Sequence, residues 1–467
     1  MTPIKLAIQI AAWLPHARWF ARKGVALDSV VVHDDAVLPN TDATLALVDV
    51  HTATGDRSRY AAAVDRGSGA DAAATPAFAG WLVRTALAGG VMGGRQGSFV
   101  GHPTATLSLP AAPVAVTPLG GDASNTSLLV NIADQEFAVK LLRRCHPGIQ
   151  PEVELGEFFA NQAPWQATPR LYGWLEYASS SAPPESTAIA TVHAFAAGCT
   201  SGWDRLVALL GHEGLNGPAR NTIHTIVATL GRTTGEMHRA LGSRPDLPDF
   251  APVTTTPAER QAMAARMVEH ARNVFSLAAD RLPQLPTAIA EHVIAAIDNR
   301  DRIIRQLEGL ATLDVTARQI RVHGDYHLGQ VLIDSQEHDI APRVLVIDFE
   351  GEPGRSLAER RAKTTACKDV AGMCRSFDYL LRHVAKTTGT TYRPDDLEEL
   401  ESCYLDAYRT IASGQPWWPA APREAAALLA IYKLDKAIYE LAYELQNRPD
   451  WVDVPLAALS FHGSSPP

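Results

Sequence analysis

Two short stretches constrain this chain most. The first is Val322-His323-Gly324-Asp325-Tyr326-His327-Leu328-Gly329-Gln330. The second, roughly twenty residues downstream, is Val344-Leu345-Val346-Ile347-Asp348-Phe349-Glu350-Gly351-Glu352-Pro353. Each reads as an apolar strand that delivers a carboxylate or amide onto a turn. Asp325 is followed five residues later by Gln330, and Asp348 closes a β-branched run. That arrangement suits phosphoryl transfer. One Asp accepts a hydroxyl proton, while an amide and a second Asp hold Mg²⁺ against the phosphates of ATP. An isolated H-G-D is more often only a turn, so the case rests on both elements occurring in this order.

A third element lies upstream. Leu119-Gly120-Gly121-Asp122-Ala123-Ser124-Asn125-Thr126-Ser127 is a small-residue loop. Ser124, Asn125 and Thr126 there can offer donors to phosphate oxygens. Leu128–Val130 and Phe137–Leu141 flank an Ala133-Asp134 turn, which predicts a β-hairpin. Lys140 sits in its second strand as A-V-K, much as the V-A-I-K lysine of protein kinases does. Pro147 to Ala160 has helical periodicity, and Glu154 on it is the expected partner of Lys140. Alone, Lys140 reads as a solvated edge-strand lysine, and only its neighbours in order change that. Thr187 to Phe195 is a further strand leading to a hinge. His193, Ala194 and Phe195 are there expected beside adenine, with His193 reading more naturally as packing.

The chain has 467 residues, enough for two or three domains, and 46% of them are apolar. Net charge is −9 with both signs dispersed, which argues against a nucleic-acid partner. Five cysteines without a CxxC read as reduced thiols in a cytoplasmic protein and make a zinc site improbable. No run of about 20 apolar residues predicts a membrane span. Ile4, Ala7, Ile8, Ala11 and Leu14 fall at helical spacing, so the amino-terminal stretch reads as an amphipathic cap helix, not a signal peptide.

The remaining pattern predicts strands at Ser29–His33, Thr44–Asp49 and Val114–Val116, and a helix from Pro76 ending at Gly89. After Gly198 it is mainly helical, with runs at 221–241, 254–279, 286–307, 368–386, 395–413 and 423–446. The expected division is a cap at 1–112, a β-rich lobe at 113–196 and a helical lobe at 197–467.

At this point the chain resembles the maltokinase-like sugar kinases, within the fold of the aminoglycoside and choline phosphotransferases. The resemblance covers nearly all residues. It is carried by Arg18-Trp19-Phe20, by Ser124 to Ser127, and by Val139-Lys140-Leu141 through Arg143-Arg144. It continues in Glu152 to Leu155, His323 to Gln330, Ile347 to Pro353 and Leu357 to Arg361. Asp369 to Met373, Arg375 to Tyr379 and Leu434-Asp435-Lys436-Ala437 through Trp451 complete it.

The resemblance implies an α+β, protein-kinase-like bilobal fold with an N-terminal cap. It implies Asp325 as catalytic base and Gln330 with Asp348 as Mg²⁺ ligands. Lys140 would contact ATP phosphates, oriented by Glu154. The implied enzyme is a monomer working on ATP and a small sugar.

Three segments depart from the family pattern, one of them the hinge, which reads His193-Ala194-Phe195 where the family tends to E-Y. Thr365-Ala366-Cys367-Lys368 stands where maltokinases read S-P-L-R, and Gln415-Pro416-Trp417-Trp418-Pro419 is unfamiliar. An Arg-to-Lys exchange need not be neutral. The two segments other than the hinge are expected on the acceptor side, which favours glucosamine over maltose as the sugar, in the manner of the divergent actinobacterial glucosamine kinases. Glu440, Glu444, Asp450 and Trp451 are candidates to receive the amine, although each alone reads as ordinary surface pairing. A pseudokinase binding module would lack one of the four site residues, all of which are kept. A protein kinase would need a longer segment before its A-P-E.

Overall fold

The computed structural model describes residues 2–21, 23–120, 124–182, 185–211, 213–334 and 342–459. The chain separates into two units, Met1–Ala197 with Asp348–Arg361, and Gly198–Ile347 with Ala362–Pro467.

The first unit opens with α1 (Pro3–Trp13), whose Thr2 cap accepts from the Lys5 N–H and whose first position is Pro3. The buried stripe is Leu6, Ile10 and Leu14, while Ile4 and Ile8 face solvent. The expected apolar face is therefore corrected by most of its width. Spacing permitted both stripes, and it is Leu6, Ile10 and Leu14 that pack with Val48, Val50 and Tyr60 of the sheet.

That sheet is antiparallel, made of β1 (Leu27–Val37), β2 (Ala43–Thr52), β3 (Arg57–Asp65) and β9 (Arg144–Cys145) in that order. Alternation sends Val48, Val50, Tyr60 and Ala62 toward α1, and Leu45, Leu47, Ala61 and Ala63 to the opposite core.

The second core is shared with helix α2 (Pro76–Ala88), which ends in the left-handed Gly89, and with a seven-stranded sheet. Its members are β4 (Val91–Gly93), β5 (Gly97–Pro103), β6 (Val114–Pro118), β7 (Thr126–Ile132), β8 (Gln135–Leu141), β10 (Leu171–Ser179) and β11 (Ser186–Ala194). They run β4-β5-β10-β11-β8-β7-β6. A side chain at Gly101 would meet the Thr85 carbonyl at 1.9 Å, so α2 needs glycine there to lie on β5. The β7–β8 turn is as expected, with both Ala133 and Asp134 in the left-handed region that a two-residue hairpin favours. Strands cross position 112 in both directions, since β4 and β5 join the larger sheet while β9 joins the smaller.

Helix α3 (Pro151–Glu157) is shorter than the periodicity predicts and continues as a π turn over Phe158–Gln162. The unit is completed by Asp348–Arg361, which carries α9 (Leu357–Arg361).

The second unit has a small antiparallel sheet, β12 (Cys199–Ser201), β13 (Val331–Asp334) and β14 (Val344–Val346). Around it lie α4 (Gly202–Leu210), α5 (Arg220–Leu241), α6 (Pro257–Arg281), α7 (Thr287–Asp298) and α8 (Arg300–Thr312). Then follow α10 (Cys367–Thr388), α11 (Pro394–Ala412), α12 (Pro422–Asn447) and α13 (Asp453–Leu459). A side chain at Gly231 would meet the Tyr404 carbonyl at 2.3 Å, so glycine lets α5 and α11 pack closely. The single helix expected over 286–307 is two. Asn299, at φ −87° and ψ 0°, turns its amide back to the Ala295 carbonyl at 2.8 Å and interrupts the ladder. Among the described residues no helix is long and apolar enough to cross a membrane.

Candidate active site

In the first unit the site is built around Lys140. Its strand register sets it between Ser127 and Thr191 on neighbouring strands. The ammonium contacts Glu152 at 3.1 Å and Asp348 at 2.6 Å, and it also reaches Glu350. Glu154 is not its partner. Two residues further along α3, Glu154 points away and is gripped bidentately by Arg361, at 2.7 and 3.0 Å. The expected Lys140–Glu154 pair is thus corrected to Lys140–Glu152.

Asp348 adopts φ +66°, a costly conformation for a non-glycine residue that is typical of functional turns. Glu152 is buried, which raises its pKa, but Lys140 and His193 outweigh burial and hold it below the ordinary carboxylate range. For Glu350 the balance reverses. Burial, with Asp348 and Glu152 adding to it, outweighs Lys140 and pushes its pKa up.

Oxygens of Glu152, Asp348 and Glu350 lie within 4.8 Å of one another. Three carboxylates around one ammonium leave surplus negative charge on hard oxygen donors, a set that fits a divalent cation such as Mg²⁺.

The phosphate loop is only partly as expected. Ser124 is exposed. Asn125 is buried, donating to Glu350 at 2.9 Å and accepting from the Arg143 N–H at 3.2 Å. The Thr126 hydroxyl accepts from Arg143 Nε at 2.8 Å. These two side chains therefore brace the loop. Gly121 to Ala123 lie outside the described residues. Arg143, itself buried, also pairs with Asp71 at 2.5 Å and sits 4.3 Å over the Trp19 ring. The family residue Trp19 therefore has a packing role.

At the end of β11 the Ala194 N–H donates to the Arg170 carbonyl at 2.9 Å and the Phe195 N–H to the Glu136 carbonyl at 3.3 Å. Both of these N–H groups have backbone partners within the unit. His193 turns toward Glu152.

In the second unit, Asp325 lies on a loop held from beneath by Asp369. This fully buried carboxylate accepts the N–H groups of His323 at 2.8 Å and Gly324 at 2.9 Å, and His238 Nε2 at 3.1 Å. His238 is in turn bonded to the Tyr408 hydroxyl at 2.8 Å. His323 Nε2 donates to the Ile347 carbonyl at 2.9 Å, while its Nδ1 faces the Asp325 N–H at 3.4 Å. Lys436 donates to Asp325 at 2.9 Å. Burial raises the Asp325 pKa, but Lys436, with His327 and His323 adding to it, prevails and holds the carboxyl well below its usual range. It is therefore ionised at neutral pH and can accept a proton.

Gln330 ends a short turn, Leu328–Gln330, and its carbonyl accepts the N–H of Ile347, the residue before Asp348. Glu152, Glu350, Asp369 and Lys436 are the site residues that reading the sequence missed, although each lies inside a stretch that carried the resemblance.

The acceptor candidates divide. Glu440 is bound by Arg375 at 2.6 Å, and Arg375 also holds Asp378 at 2.6 Å. Glu444 takes Arg448 at 2.6 Å and the Tyr379 hydroxyl. Both carboxylates are held by arginines, the pairing that each alone suggested. Trp451 stacks on His383, with centroids 5.2 Å apart, and lies under Lys386. Asp450 is exposed and its backbone carbonyl takes Lys386. Trp417 and Trp418 are buried against Tyr408, and Trp417 also against His238. Within that segment Trp417 to Pro419 are buried, while Pro416 is exposed.

Comparisons with known proteins agree with this chemistry. The amino-terminal region matches the maltokinase N-terminal cap domain over residues 13–92. A glucosamine kinase of Streptacidiphilus jiangxiensis is 27% identical over 349 residues, covering 73% of this chain and 71% of that protein. A glucosamine kinase of Mycolicibacterium smegmatis is 25% identical, covering 73% and 78%. Among solved structures, a glucosamine kinase (crystal form A) is 25% identical with a TM-score of 0.62, covering 98% of each chain. Another, a glucosamine kinase in complex with glucosamine, ADP and inorganic phosphate, is 23% identical with a TM-score of 0.60, covering 97% of this chain and 98% of that one. Residues 115–351, from the first strand of the hairpin sheet through Asp325 and Asp348, match the phosphotransferase enzyme family, and the chain belongs to that family.

Proposed function

We propose that the protein is an ATP-dependent glucosamine kinase, converting ATP and D-glucosamine to ADP and D-glucosamine 6-phosphate. The observation that carries this reading is the ionised Asp325, fixed by Asp369 from below and charged by Lys436 beside it. The curated relatives supply the choice of sugar, since both are glucosamine kinases.

Asp325 accepts the proton of the sugar hydroxyl as that oxygen attacks the terminal phosphorus. The bond to the bridging oxygen breaks and ADP leaves with that electron pair. Lys140 exchanges carboxylate contacts for phosphate oxygens and neutralises charge there, with Glu152 keeping it in place. Asp348 and Gln330 are the residues assigned to Mg²⁺, with Glu350 beside Asp348 on Lys140. When bound, the cation neutralises charge on the phosphates.

On the acceptor side, Asp450 and Trp451 remain the assigned residues, because Arg375 and Arg448 already occupy Glu440 and Glu444. Maltose is the second reading, and the match to the maltokinase cap speaks for it. An ADP-release assay with ATP, Mg²⁺ and either glucosamine or no sugar tests the proposal. Glucosamine-dependent release, abolished by chelating Mg²⁺, is expected. Release that ignores glucosamine overturns it.

A further inference from the structure

The Lys140–Glu152 pair has a third member that the phosphoryl-transfer chemistry leaves unused. His193 Nε2 lies 3.3 Å from Glu152 Oε1, a contact that falls short of a hydrogen bond, while Lys140 Nζ takes Oε2 at 3.1 Å. The other ring nitrogen, Nδ1, faces the Pro169 carbonyl at 3.4 Å. Both nitrogens thus point at acceptors, and the ring is held between the start of β10 and the buried side of α3.

We infer that His193 is a positioning residue for Glu152, and through it for Lys140, rather than a contact to adenine. Lys140 is contested by three carboxylates. Glu152 holds it through Oε2. A buried carboxylate whose second oxygen loses the ring N–H facing it rotates to recover a donor. That rotation weakens its hold on Lys140 and releases the ammonium to Asp348 and Glu350. His193 blocks this by facing Oε1, which leaves Oε2 to Lys140. The strand dictates the placement. His193 is two residues from Thr191, the register partner of Lys140, so both face α3.

This inference rests on the kinase reading, so the test separates the two. His193→Gln keeps an N–H donor at similar reach, whereas His193→Leu keeps bulk without one. Wild-type protein must first bind a fluorescent ADP analogue and turn over glucosamine; failure there refutes the kinase reading, not this one. We expect His193→Leu to lower kcat/KM for ATP by about tenfold. KM for glucosamine and the ratio of ATP to GTP use should stay unchanged, and His193→Gln should recover most of the loss. In a Glu152→Gln background, the Leu substitution should have little further effect. Equal losses for Gln and Leu, or full additivity with Glu152→Gln, overturn the positioning role. A changed ATP-to-GTP ratio would return His193 to the adenine.

Discussion

Replacing Asp369 by Asn should cost both stability and turnover, and the structure sets the size of the effect. The carboxylate accepts from two backbone N–H groups, at 2.8 and 2.9 Å, and from His238 at 3.1 Å, and it is 1% exposed. Hydrogen bonds to a charged group contribute about 1.5–3 kcal/mol each. Asn keeps the volume and one acceptor oxygen, but its amide end would face a donor. One or two bonds are lost, partly offset because no charge is then buried. The expected net loss is about 2–4 kcal/mol.

Urea unfolding followed by tryptophan fluorescence measures it, since Trp417 packs on His238. Because the loop of Asp325 slackens, kcat should fall while affinity for a nucleotide analogue is kept. The pH dependence gives a second check. Burial would raise the Asp369 pKa, yet His238, with the loop N–H groups, holds it below the ordinary value. The lowered pKa means that this stability is present above about pH 4 and is lost as pH falls through the folded value. The Asn variant should lack that acid limb. A loss under about 0.5 kcal/mol with normal turnover would refute the reasoning, because the loop would then not depend on this carboxylate.

Asp325→Asn should retain nucleotide binding and lower turnover by at least about 10²-fold; near-normal rates would remove its role as base. Glu152→Gln should reduce kcat/KM for ATP by about tenfold, whereas Glu154→Gln should leave it nearly unchanged and lower only stability, because Glu154 holds Arg361. The reverse ranking, read from steady-state kinetics, would restore the pairing expected from spacing. Glu350 has its pKa raised to about 7, so its contribution to stability is full below the ordinary carboxylate range and is lost as pH rises through that value. Thermal melts between pH 5 and 8 should therefore fall more steeply for the wild type than for Glu350→Gln; parallel curves would contradict the shift.

Much of this site could be read from residue order. Lys140 was legible because a β-hairpin with a two-residue turn fixes which residues alternate, and Ala133-Asp134 marks that turn. Asp348 was legible because it follows the short apolar strand β14, whereas the strand expected before Asp325 is only an isolated bridge at Ile320. The partner of Lys140 was not legible. Glu152 and Glu154 are two positions apart on a seven-residue helix, nearly opposite in direction, and periodicity over so few residues does not say which faces the sheet. The same ambiguity misplaced the buried face of α1.

Asp369 stood inside a recognised motif, yet its role was hidden. It bonds backbone N–H groups some 45 residues away, and those leave no mark on side-chain identity. The acceptor side misled for a different reason. Glu440 and Glu444 were weighed as amine receptors because they lie in the matched stretch, and residue order did not show that Arg375 and Arg448 hold them. Trp417 and Trp418, in a segment expected on the acceptor side, are buried.

The central claim is most directly tested by measuring kcat/KM for glucosamine and for maltose in the same coupled assay, with ATP and Mg²⁺ held saturating. The account predicts that glucosamine is preferred by at least about tenfold. Its product should be phosphorylated at the 6-hydroxyl by phosphorus NMR. A preference of about tenfold for maltose, with phosphate on the anomeric oxygen, would contradict it.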